Sequence, residues 1–223
     1  MLYALGDPIS LILLLASFLL AVTVHGAVSA VVATRAGELA PAAEGRRSVR
    51  PSRHVDPFGV LGAAIAGVGW AKPVVVPPRR RRAAWLAALL AGPAATLLVG
   101  LAALGAYRAG GGAPLRGGLF TALQSGVSGD LGLRALLLLG LSSLFVGALS
   151  LVPLPPLNGG QLLFGLAPRS DGWRKAEYQL VDRNIGVAVL LALLLIPLAG
   201  RNALLPMLLD TVVSPLATAV MGG

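Results

Sequence analysis

Apolar residues run almost unbroken from Ile9 to Val32, interrupted only by Ser, Thr, Gly and one histidine, His25. A membrane-crossing helix needs about 20 such residues. The pattern predicts a helix over 8–36, slightly long for one span and therefore tilted. A Gly-, Pro- and Arg-rich stretch follows. Next come thirteen apolar residues at 58–70, too short to cross and read as a re-entrant or interfacial segment. Further apolar runs predict helices over 83–107, 131–152, 184–198 and 203–220. Between them lie a Gly-rich loop at 108–130, the broken segment "PLPPLNGG" at 153–160 and a polar stretch at 169–183. The expected fold is an all-α polytopic membrane protein. It has about five transmembrane helices plus the short segment, in one domain over 1–223.

Composition agrees with the pattern. The chain is 56% hydrophobic and 12% charged, with mean hydropathy +0.82; soluble domains carry about twice that charge. The first ten residues hold no Lys or Arg, unlike a secretory signal, so the first apolar run is read as a retained span. There is no cysteine, which excludes disulfides and thiolate ligands.

A net charge of +9 raises nucleic acid as a partner, but placement argues against it. If the loops after the first and fourth apolar runs share a side, 14 of the 18 basic residues lie there, Arg79 to Arg82 among them. That bias marks the basic side as cytoplasmic, with the N-terminus outside and the C-terminus inside a cell membrane. The arginine run is then a topology and lipid anchor. Trp70 and Lys72, like Trp173 and Tyr178, are read as interfacial anchors.

An ionisable residue inside a span is a functional candidate. His25 is one. Asn158 is a second candidate: Pro153, Pro155 and Pro156 forbid regular helix before it, while Gly159 and Gly160 permit a sharp turn after it. Irregular backbone at membrane depth must be enclosed by protein or line a cavity. Both residues fall in the same leaflet, so a buried pocket with His25 on one wall and Asn158 on the other is expected.

Five stretches then occur in a telling order: "HGAVSAVVATRAGE", "RHVDPFGVL", "GWAKPVVVPPRRRR", "LAGPAATLL" and "LSLVPLPPLNGGQLL". Together they resemble the short bacterial branch of the site-2 protease family, intramembrane zinc metalloproteases. The matching family patterns are H-E-x-x-H, H-[IV]-D-P-x-G, G-W-A-K-P-V, A-G-P-x-x-N and P-P-L-D-G-G. The resemblance covers roughly residues 9–165 and implies a protease-like core there. Residues 166–223 would form a cytoplasmic segment and two more helices.

In that family two histidines and one aspartate hold zinc, and a glutamate is the general base. By position these are His25, Ser29 and Asn158 for the metal and Gly26 for the base. The supporting asparagines fall on Thr96 and Ser150. A catalytic zinc site needs three protein ligands and an open position. One imidazole, one hydroxyl and one neutral amide do not supply them, and glycine accepts no proton.

The resemblance therefore implies a catalytically inactive homologue without zinc. Its pocket is lined by His25, Ser29, His54, Asp56, Thr96, Ser150, Asn158 and Gly159. Membrane lipids and a membrane-protein partner or substrate segment are its expected partners. Blander roles stand beside this. Gly26 and Ala30 form a small-residue pair suited to close helix packing. His25 serves as a packed remnant bonded to Asn158 or Ser29. Asp56 before Pro57 is a helix N-cap. Two alternatives stay open: an active metalloprotease with other ligands, such as His25, His54 and Asp56, and a small membrane transporter. The latter lacks the ionisable relay a proton-coupled carrier would show.

Overall fold

A computed structural model of the chain describes residues 7–78, 82–114, 122, 130–196 and 203–221. Among these it is helical, with one isolated antiparallel bridge, Val55 to Ala71. The helices are α1 (Pro8–Arg35), α2 (Ala40–Ala43), α3 (Pro57–Ala66), α4 (Arg82–Ala109), α5 (Leu131–Ser150), α6 (Asn158–Leu166), α7 (Asp171–Glu177), α8 (Ile185–Leu195) and α9 (Leu204–Met221). Of the charges used above for topology, Arg79, Arg80, Arg81, Arg116 and Arg201 lie outside the described residues, as does most of the predicted 108–130 loop.

Four helices, α1, α4, α5 and α9, are long and apolar enough to cross a membrane. At 18 to 28 residues they measure roughly 27 to 42 Å. A fifth span results only if the 171–182 element and α8 count as one, bent by 70°. The protein is thus a polytopic all-α membrane protein.

α1, α4 and α5 pack against one another as the central bundle. The buried faces hold Leu14, Phe18, Leu104, Leu141, Leu144 and Phe145, while Ile12, Leu98 and Val212 point outward. Exposed apolar side chains on outer faces are what lipid contact requires.

Helix ends fix the arrangement. Asp7 caps α1 by accepting from Ser10 N at 3.2 Å, with Pro8 in the first turn where no N–H is needed. Arg134, in the first turn of α5, pairs with Asp7 and donates to Ser10 Oγ at 2.5 Å, so α1 and α5 start together. The far end of α4 also lies there, because Gly110 packs on Leu133.

That geometry decides where the chain ends. Arg108, near the end of α4, donates from Nε to Met221 O at 2.5 Å, and Val220 packs on Gly105. Residues 7 and 221 are therefore at the same end of the bundle. Charge counting alone puts the termini on opposite faces, because it takes 184–198 as a full crossing. Only Ile185–Leu195 is helical there, about 16 Å against a 30 Å hydrocarbon core, and residues 197–202 lie outside the described set.

The 58–70 segment is a helix that turns back. α3 begins with Asp56 accepting from Gly59 N at 2.8 Å and Pro57 in its first turn. It stops at Gly67, whose φ of 82° lies in the region open to glycine. The returning segment buries Trp70 at 1% exposure. Trp70 is thus a core residue and no interfacial anchor: α3 lies over it, its ring packing on Gly62. Trp173 and Tyr178 are exposed at 36% and 54%.

Candidate functional site

His25 sits two-thirds of the way along α1, 4% exposed. One turn on, Ser29 is 1% exposed. Both press on α4 at Gly92. A methyl group at Gly92 would stand 2.7 Å from the His25 carbonyl and 3.2 Å from its Cε1, and would overlap Ser29 Oγ. Only a glycine lets α1 and α4 approach this closely.

Pro93, next to Gly92, has no N–H. In a regular helix that N–H would serve the carbonyl four residues back, which is Leu89. The freed Leu89 carbonyl accepts from Asn158 Nδ2 at 2.6 Å. Asn158 is 3% exposed and opens α6, directly after the proline-broken loop. His25 and Ser29 on α1, and Asn158 far from them in sequence, therefore meet the same turn of α4, residues 89–92. Gly159 packs against the backbone of Leu151 and Val152.

The hydrogen bonds differ from the packed-remnant picture. Asn158 spends its amide N–H on Leu89. Both His25 ring nitrogens and Ser29 Oγ have no partner among the described residues. Thr96 donates to Gly92 O at 2.7 Å and Ser150 to Gly147 O at 2.6 Å, so each hydroxyl is satisfied within its own helix.

His54 is fully buried, and its ring lies against Gly26. A Cβ at residue 26 would sit 2.9 Å from His54 Cγ and would overlap Nδ1. Its Nε2–H donates to Ser48 O at 2.8 Å, which leaves Nδ1 as an unpartnered acceptor facing α1. Burial holds the ring's pKa below the ordinary histidine value; the Ser48 bond works the other way, and nearby Arg46 adds to the lowering. The imidazole is therefore kept neutral. It fills the volume beside Gly26 that a longer side chain at that position would need.

Arg46 and Gln161 complete the surroundings, and neither stands out in the sequence. Arg46 is 3% exposed; it donates to Pro73 O at 2.6 Å and Lys72 O at 2.5 Å. The Gln161 amide accepts from Val76 N and donates to Val74 O, both at 3.0 Å, as a neighbouring strand would. The extended 72–78 segment is thus pinned by both side chains. The signals were present but ambiguous: one of four arginines in a Gly-, Pro- and Arg-rich stretch, and a glutamine directly after Asn-Gly-Gly.

Zinc can be tested against these side chains. No group of three His, Cys, Asp or Glu residues converges among the described residues. Asp56 is occupied in capping α3. Arg46, near the His54 ring, disfavours a second positive charge there. This donor set does not match the three-ligand requirement of a catalytic zinc.

Over 210 residues, 90% of this chain and 86% of the relative, the sequence is 31% identical to the Bacillus subtilis (strain 168) protein named "Putative zinc metalloprotease YwhC". No family model and no solved structure matches the chain.

Proposed function

The chain belongs to a site-2 protease-like family of zinc metalloproteases, and we propose that it is a catalytically inactive member that binds a membrane segment without cutting it. One observation carries this reading. The positions that match the family's zinc-ligand motif hold His25, Ser29 and Asn158, and the Asn158 amide nitrogen donates to Leu89 O. Gly26 stands where a base is needed, and the neutral His54 ring occupies the space beside it.

The scaffold around this pocket persists. α3 carries an exposed apolar face of Phe58, Leu61 and Ile65, and the 153–157 loop before α6 offers irregular backbone. An apolar helix face can hold a helical partner segment, and irregular backbone an extended one. The protein then sits in the cell membrane with its basic end in the cytoplasm. Given their shared position, residues 7 and 221 both face outward.

Photo-crosslinkers at Leu61 and Ile65 in living cells test the binding role, with a membrane-anchored reporter substrate to detect cleavage. The proposal expects an uncut membrane-protein adduct. Cleavage that is lost in His25→Ala would establish the alternative, a protease with other ligands.

A further inference from the structure

At the Arg82 end of the bundle, two cavities join beside the pocket just described. The first, about 310 Å³, runs between the extended 73–78 segment and Leu157, Phe164 and Val181, and its walls are mostly apolar. The second, about 370 Å³, shares Pro78, Phe164, Gly165 and Glu177 with the first and opens beside Arg169 and Arg174. Trp173 meets Phe164 edge-on, ring centres 6.1 Å apart, at the junction. The result is an apolar slot ending in a charged mouth.

The charges at the mouth narrow the occupant. Arg169 has no partner among the described residues. Arg174 pairs with Asp171 on the exposed surface, while Glu177 borders both cavities. Cation and anion thus face one opening. A purely anionic headgroup would satisfy the guanidinium groups but oppose Glu177. A choline headgroup has no N–H for the carboxylate. A phosphate next to a primary ammonium satisfies both signs by charge-assisted hydrogen bonds.

We propose that this joined groove binds a phosphatidylethanolamine-type lipid. One acyl chain lies in the proline- and valine-lined half, the phosphate rests on Arg169 and Arg174, and the ammonium rests on Glu177. The site goes beyond the proposed segment-binding role; it shares the 153–157 loop with it, through Leu157, but uses neither the α3 face nor His25, Ser29 and Asn158.

Native mass spectrometry of the full-length protein, after exchange from micelles holding phosphatidylethanolamine, phosphatidylcholine or phosphatidylglycerol with identical chains, tests it. Ethanolamine lipid should be retained over choline lipid by roughly tenfold, the worth of one hydrogen bond to a charged group. R169Q/R174Q should bring retention down to the choline level. E177Q should erase the preference of ethanolamine over glycerol lipid. V181D, which puts a charge in the apolar half, should lower retention of all three. Thermal unfolding of each variant confirms that it is folded; these side chains are exposed, so little change is expected. Equal retention of choline lipid by the wild type would overturn the proposal. So would an R169Q/R174Q variant that keeps its lipid, an ethanolamine-over-glycerol preference indifferent to E177Q, or a crosslinker at Val181 that captures a protein instead of lipid.

Discussion

Asn158 offers the sharpest test of how the pocket is held. Its amide serves the Leu89 carbonyl at 2.6 Å, both are buried, and Pro93 cannot serve that carbonyl instead. In Asn158→Leu the carbonyl loses its donor. Orphaning a buried acceptor costs about 1–3 kcal/mol, and hydrogen bonds between membrane helices fall at the low end. An estimate of about 1–2 kcal/mol lowers the melting temperature by roughly 2–8 °C for a chain this size.

Asn158→Asp, which restores the family's residue, should be worse at neutral pH. A carboxylate accepts but does not donate, so it would face the Leu89 oxygen with no cation between them. Once protonated it donates again. The folded-state pKa of the introduced carboxyl is therefore raised above the unfolded value of about 3.9. Its favourable contribution is present below that pH and is lost as pH rises through the folded pKa. Thermal unfolding in mild detergent, followed by tryptophan fluorescence from pH 4 to 8, measures both variants against wild type. An Asn158→Asp protein at least as stable as wild type at pH 8 in metal-free buffer would refute the reasoning, as would strong stabilisation of it by added zinc.

Three further predictions concern neighbouring features. Gly26→Ala should destabilise by about 1–3 kcal/mol through overlap with His54, and adding His54→Ala should recover much of the loss in a double-mutant cycle. Because the His54 pKa is lowered by burial, its contribution to stability is full above the unfolded value of about 6.5 and is lost as pH falls toward the folded value; His54→Gln should flatten that part of the stability–pH curve. A reporter fused after Met221 should behave as extracytoplasmic, on the same side as one at the N-terminus, and a cytoplasmic signal would contradict the Arg108–Met221 arrangement.

Hydropathy made the long spans and the short 58–70 segment legible, because burial in lipid leaves a run-length signature. Asp56 before Pro57 was legible as a cap because that chemistry is local. What stayed hidden depends on pairings across the chain. The partner of Asn158 is a backbone carbonyl 69 residues away, freed by a proline in another helix, and nothing near Asn158 announces it. Gly26 is compatible with simple helix packing; only the fold shows an imidazole in its space. Trp70 beside Lys72 has the look of an interfacial pair, yet the turn at Gly67 sends the tryptophan inward. The termini could not be placed by counting apolar runs, since an eleven-residue helix and a full span give similar runs.

The central claim is a protease-like scaffold whose pocket no longer assembles zinc. Elemental analysis of the purified full-length protein tests it most directly, after exposure to zinc and removal of excess. The account predicts zinc far below stoichiometric and no difference between wild type and His25→Ala. About one zinc per chain in the wild type, lost in His25→Ala, would contradict it.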